Sequence, residues 1–118
     1  MVVSCGNFWA ESTGREILKL SYRSGQFQVA LERCDVDEKA VSDYSARWNR
    51  NFDAAAVWLG LDRETFTERQ AAGREALGED IELGCDVIGE AFPLALSLAD
   101  RWHARINARE YCGPLGCD

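Results

Sequence analysis

The sequence predicts an α+β fold: an N-terminal antiparallel sheet of two or three strands packed against three to five helices. Two observations carry that prediction. Ile17–Leu31 alternates apolar and polar residues, and everything after residue 35 has helical rhythm instead. With 118 residues, the chain is read as one domain, with a β-rich part over 1–34, a helical part over 35–110 and a turn-rich tail over 111–118.

The hairpin, about 16–33, is counted outward from Ser24-Gly25. Tyr22 then falls opposite Phe27, Leu20 opposite Val29 and Leu18 opposite Leu31. Arg23, Ser21 and Lys19 face Gln26, Gln28 and Ala30, so one face is apolar and the other largely polar. Asn7–Ser12 is a candidate third strand, joined through the turn Thr13-Gly14, with Phe8 and Trp9 on its opposite faces.

Helical signals begin at Asp35-x-x-Glu38, a capping arrangement in which Asp37 competes. Val41, Tyr44, Trp48, Phe52, Ala55 and Leu59 form one stripe, weakened at Asn49–Asn51, where a break and a new cap at Asp53 are expected. Gly60 ends this run, and Asp62 caps the next helix, with a Leu61–Phe66 staple and a stop at Gly78. Signals resume near Asp80. Pro93 is expected to divide the last segment into a short helix before Phe92 and a fresh one from Pro93 to about Glu110. Leu94, Ala95, Leu98, Trp102 and Ile106 are that helix's expected buried stripe.

Composition narrows the function classes. Twenty acids against 13 bases leave a formal charge of −7, which argues against non-specific binding to nucleic acid or an anionic membrane. No secretory signal and no stretch of about 20 apolar residues is visible. Five cysteines, Cys5, Cys34, Cys85, Cys112 and Cys117, without such a signal read as reduced thiols of a cytoplasmic protein, or of a host cytoplasm if viral. Cys34 and Cys85 read as small core residues.

The foremost candidate site is an acidic block. Glu75, Glu79, Asp80, Glu82, Asp86, Glu90 and Asp100 occur with no base among them, and Glu75, Glu79, Glu82, Asp86 and Glu90 follow at three- and four-residue steps. On a continuous helix these five would line one face, at a cost of a few tenths of a kcal/mol per like-charged pair unless a positive surface answers them. The competing explanation is a plain solvated face. Trp9 and Trp58 fit the buried stripes least well, which makes them candidate binding anchors.

Arg101, Arg105 and Arg109 either answer the acidic row within the fold or form a small anion-binding face. Cys112-x4-Cys117 is one loose pair, short of the two tight pairs a zinc site needs, and no metal or other cofactor is expected. His103, the single histidine, reads as a surface or helix-capping residue, near a helix end whose dipole favours its charged form. Phosphate-cradling glycine loops, a nucleophile elbow and a dinucleotide fingerprint are all absent.

Together these readings predict a small acidic binding module or inhibitor that docks on a basic surface of a protein partner, such as one that normally holds nucleic acid. It is small and acidic in the way that anti-CRISPR proteins and other phage-type inhibitors, immunity proteins and antitoxins are, an analogy of composition alone. The alternatives are a small enzyme using a cysteine or His103 with carboxylate support, and a homodimeric structural subunit.

Overall fold

The computed structural model describes the backbone of residues 5–79 and 81–108 and the side chains of residues 11–79 and 81–108. Four helices follow one another: α1 (Cys5–Arg33), α2 (Glu38–Leu59), α3 (Arg63–Ala76) and α4 (Cys85–Ala108). No strand occurs among the described residues, so the expected α+β fold with its N-terminal sheet is wrong and the fold is all helical. Both the hairpin and the candidate strand Asn7–Ser12 lie inside α1.

The reason lies in which residues of α1 are buried. Thr13, Gly14, Ile17, Ser21, Ser24, Gly25, Gln28 and Leu31 recur at helical steps and form its inner face. Most of that face is small or polar, so it carries no hydrophobic period. The large side chains that suggested alternation, Leu18, Leu20, Tyr22, Phe27 and Val29, are only partly buried and flank the inner stripe. Ser24-Gly25 is not a turn but the place where another helix comes closest.

That helix is α3. A Cβ added to Gly73 would lie 1.9 Å from the Tyr22 carbonyl oxygen, and one added to Gly25 would lie 2.0 Å from that of Gln70. Backbone meets backbone at this crossing, which only glycine permits. The serine, glutamine and arginine groups of the seam satisfy one another, whereas Thr13 Oγ1 is buried with no partner among the described residues. Ser21 Oγ donates to the Ile17 carbonyl and Ser24 Oγ to that of Ser21, each at 2.7 Å. Gln70 Nε2 donates to Ser24 Oγ, and Arg74 reaches both Gln28 and the Glu32 carboxylate. The hydrogen-bonded pairs Ser24–Gln70, Gln28–Arg74 and Arg33–Leu77 ascend together along the two helices, so α1 and α3 run parallel.

Helix α1 closes on a Schellman turn. Asp35 takes φ 55°, Val36 N–H donates to the Leu31 carbonyl at 3.1 Å and Asp35 N–H to that of Glu32 at 3.3 Å. Asp35 thus ends α1 rather than capping α2, whose N-cap is Asp37. The apolar stripe of α2 is buried as its periodicity indicates, through Tyr44, Trp48, Phe52, Ala55 and Leu59. Burial pushes the Tyr44 phenol above its ordinary value, so it stays protonated and neutral in the core.

The expected break near Asn49–Asn51 does not occur, because Asn51 faces inward and Nδ2 donates to the Ala99 carbonyl of α4 at 3.0 Å. Gly60 ends α2 in the left-handed conformation (φ 65°), and the Asp62 carboxylate accepts from Glu64 N–H at 3.0 Å to start α3. Phe52 stacks on Phe66, and Arg63 pairs with Asp53, closing α2 and α3 into an antiparallel hairpin.

Pro93 does not divide α4; the helix runs through it. An interior proline removes one hydrogen bond and crowds the carbonyl four residues earlier, at about 3 kcal/mol. Packing on both sides holds the helix together. Phe92 joins Phe27 and Tyr44 in an aromatic cluster, and Ala99, Trp102 and Ile106 enter the common core. Leu94, expected in that buried stripe, is 71 % exposed. Asp100 takes charge-assisted bonds from Arg47 at 2.7 Å and Arg50 at 2.9 Å, fixing α4 alongside α2.

Two stability outcomes follow. Gly73→Ala or Gly25→Ala should cost at least about 2 kcal/mol, since overpacking of a tight core costs 1–3 kcal/mol or more. Gly89→Ala, with open space around its added methyl, should be neutral or stabilising. Urea unfolding followed by circular dichroism separates the three. Pro93→Ala should raise stability by about 1–2 kcal/mol in the same assay, as it restores the missing donor.

Candidate functional site

The acidic residues do not share one helix. Glu75 sits in the last turn of α3, Glu79 and Glu82 lie in the non-helical connection 77–84, and Asp86 and Glu90 belong to the first turns of α4. The single helical line expected from their spacing is therefore broken. All five are exposed, and none has an ion pair among the described residues. Asp86 gains locally from the helix α4 dipole, which favours an acid in the first turn. Asp80 lies outside the described residues.

Two consecutive residues of α1's C-terminal end hold both ends of the connection. The Arg33 guanidinium donates to the Leu77 carbonyl at 2.7 Å and to the Gly78 carbonyl at 2.6 Å, satisfying groups that the end of α3 leaves open. Cys34 is disulfide-bonded to Cys85, the first residue of α4. The reading of these two as reduced core thiols is thus corrected: they are only partly shielded or exposed, and they clamp the acidic connection to α1.

Large aliphatic side chains lie exposed among the acids. Ile81 is 47 %, Val87 67 % and Leu94 71 % exposed. Val87, Glu90 and Leu94 fall at three- and four-residue steps, hence on one face of α4. Sequence reading missed these aliphatics as surface residues, because it assigned Leu94 to the core, took Val87 only as part of the helical run and passed over Ile81. The available signal was their interleaving with Glu82, Asp86 and Glu90.

Other candidates stand apart. Trp58 is 42 % exposed, and its Nε1–H donates to Asn107 Oδ1 at 3.2 Å. Asn107 lies 17 residues beyond Glu90 on the same helix, about 25 Å away at 1.5 Å per residue. Trp58 and the acidic residues therefore do not converge. Trp9 has its backbone in α1, and its side chain lies outside the described residues, as do Arg109, Cys112 and Cys117.

Arg105 stacks over Trp102 at 4.7 Å, and Arg101 is exposed with no ion pair to the five carboxylates among the described residues. His103 lies beside Asn107, and partial burial, then the nearby Arg50, hold its pKa below the ordinary value against an opposing pull from Asp100. Its surroundings thus favour the neutral ring, opposite to the expected helix-capping cation.

Among the described residues no group of three or more His, Cys, Asp or Glu is placed to hold a metal ion, and no helix is long and apolar enough to cross a membrane. No protein-family model, curated protein or solved structure matches the chain.

The disulfide spans 51 residues, for which the chain-entropy account gives up to about 4 kcal/mol of stabilisation. Cys34→Ser, or excess reductant on the wild type, should lower the unfolding midpoint accordingly. Hydrogen exchange should accelerate first in the connection 77–84, as one of its two anchors is lost.

Proposed function

We propose that this chain is a protein-binding module that docks through the acidic, aliphatic-studded surface of residues 79–94 onto a basic surface of a partner protein, occluding it. One observation carries the reading. Glu79, Glu82, Asp86 and Glu90 are exposed without ion pairs among the described residues, Ile81, Val87 and Leu94 stand exposed between them, and the whole segment is clamped to α1. Unanswered like charges are mildly unfavourable in the free protein and become favourable against arginines or lysines. Exposed aliphatics gain by burial, and a clamped segment loses little freedom on docking.

The carboxylates steer the encounter and fix orientation, while Val87 and Leu94 supply the central contact. The effect on the partner is steric: its basic surface is no longer open to its usual ligand. An enzyme reading has less support. Cys34 and Cys85 are bonded to each other, and His103 has Asn107 rather than a carboxylate on its ring. The Cys34–Cys85 bond also weighs against the cytoplasmic setting expected from the sequence, because cytosolic thiol pools keep most such pairs reduced.

The test is affinity capture from a lysate of the source organism, or of its host, at low and at high salt. A triple variant Glu82→Lys, Asp86→Lys and Glu90→Lys and a second variant Leu94→Asp run alongside. A stoichiometric basic partner should be retained by wild type at low salt, weakened at high salt and lost with both variants, whose melting curves stay cooperative. Equal capture by wild type and triple variant would remove this surface from the reading. A concentration-dependent sedimentation coefficient abolished by Leu94→Asp, with no foreign partner, would instead identify the surface as a homodimer contact.

A further inference from the structure

A concave basic surface lies elsewhere, between α1 and α3. Arg15, Lys19 and Arg23 project from α1 at four-residue steps, and Arg69 approaches from α3. With Leu18 and Tyr22 they line an open cleft of about 540 Å³. Its size is that of a small-molecule site.

Three features make this more than a charged surface. Five of the chain's eleven arginines are engaged internally. Arg47 and Arg50 hold Asp100, Arg63 holds Asp53, Arg74 holds Glu32, and Arg33 caps α3. Arg15, Arg23 and Arg69 have no ion pair or hydrogen bond among the described residues, although the chain carries seven more acids than bases. Only Lys19 has a partner, Glu16 at 3.7 Å on its own helix.

The cleft also sits over the crossing of Gly73 with the Tyr22 carbonyl, where α1 and α3 have no room to shift. The backbone positions that carry the four cations are therefore set before any ligand arrives, while their side chains are exposed. Finally, a smaller, mostly apolar recess of about 220 Å³ adjoins the cleft, shares Arg15 and Leu18 with it and is lined further by Leu59, Leu61, Gly14 and Glu11. A cationic cleft with an apolar annex suits a ligand that has both an anionic head and an apolar body.

We infer that this cleft binds a small organic phosphate, its phosphate oxygens held by Arg15, Arg23 and Arg69 and its apolar body seated against Leu18, Tyr22 and Leu61. Guanidinium groups match phosphate oxygens two at a time, which favours phosphate over a single carboxylate. The concave shape and the acidic surroundings favour a compact ligand over a nucleic-acid strand, whose phosphates would run on toward Glu11 and Glu16. This site is separate from the docking surface of residues 79–94 and stands whether or not that surface binds a protein.

The experiment is calorimetric titration of the full chain with four probes: inorganic diphosphate, adenosine diphosphate, geranyl diphosphate and a single-stranded oligonucleotide. At least one of the two organic diphosphates should bind tenfold or more tightly than inorganic diphosphate, and which one does distinguishes a nucleotide from an isoprenoid ligand. The double variant Arg15→Gln, Arg69→Gln should weaken that binding at least tenfold, whereas Arg101→Gln, an exposed arginine away from the cleft, should not change it.

Leu61→Ser should weaken the organic ligand while leaving inorganic diphosphate unaffected. Circular dichroism melts confirm that each variant is folded, and Arg23→Gln replaces the double variant if the latter is not. No saturable binding of either organic diphosphate up to millimolar concentration, equal binding by wild type and cleft variants, or tightest binding by the oligonucleotide would each overturn the inference.

Discussion

The rest of the structure depends on the contact between the backbones of α1 and α3 at Gly25 and Gly73. Two helices meeting through large side chains keep their axes 8–10 Å apart. Here each glycine sits nearly on a carbonyl oxygen of the other helix, so no side chain separates the pair. The seam is consequently filled by serine, threonine and glutamine, with the serine hydroxyls returned to their own helix and the longer amides and guanidinium bridging across. The aromatic core then collects on the other sides of α1 and α2, where Tyr44, Trp48, Phe52, Phe66 and Trp102 are buried. One polar, close-packed seam and one greasy core give the bundle two differently built interfaces.

That division explains what could be read from the residues. The helix α2 and the start of α3 were legible because there the local and tertiary signals agree: an aromatic stripe at helical spacing, Gly60 at a left-handed stop, Asp62 at a cap. The helix α1 was misread because its buried face consists of residues that elsewhere make turns. Serine and glycine at positions 24 and 25 carry the same letters whether they bend a chain or let a second helix approach. Pro93 misled in the opposite way: a strong local breaker is overridden by the aromatic cluster around Phe92 and by the core contacts of Trp102 and Ile106.

The candidate surfaces were legible to unequal degrees. The carboxylates are exposed, as a run of acids without bases suggests, but their arrangement is set by Arg33 and Cys34, whose contacts lie more than forty residues away in sequence. The cationic cleft had a local trace in Arg15, Lys19 and Arg23, four residues apart. A hairpin reading places Lys19 and Arg23 among cross-strand pairs and conceals that shared helical face. Arg69 enters only once α3 is known to lie beside α1. Charge composition reports a net excess, whereas binding surfaces arise from where the minority charge is left unneutralised.

The bond between Cys34 and Cys85 has one more consequence, topological rather than energetic. It closes the chain into a ring that contains all of α2 and α3, with α1 and α4 leaving the ring as its two arms. A backbone cut in either inner connection, near Gly60–Asp62 or within 77–84, opens the ring without releasing a fragment. The two halves part only when the sulfurs are reduced. Persistence of the molecule as one covalent piece is thereby uncoupled from the integrity of its most exposed backbone.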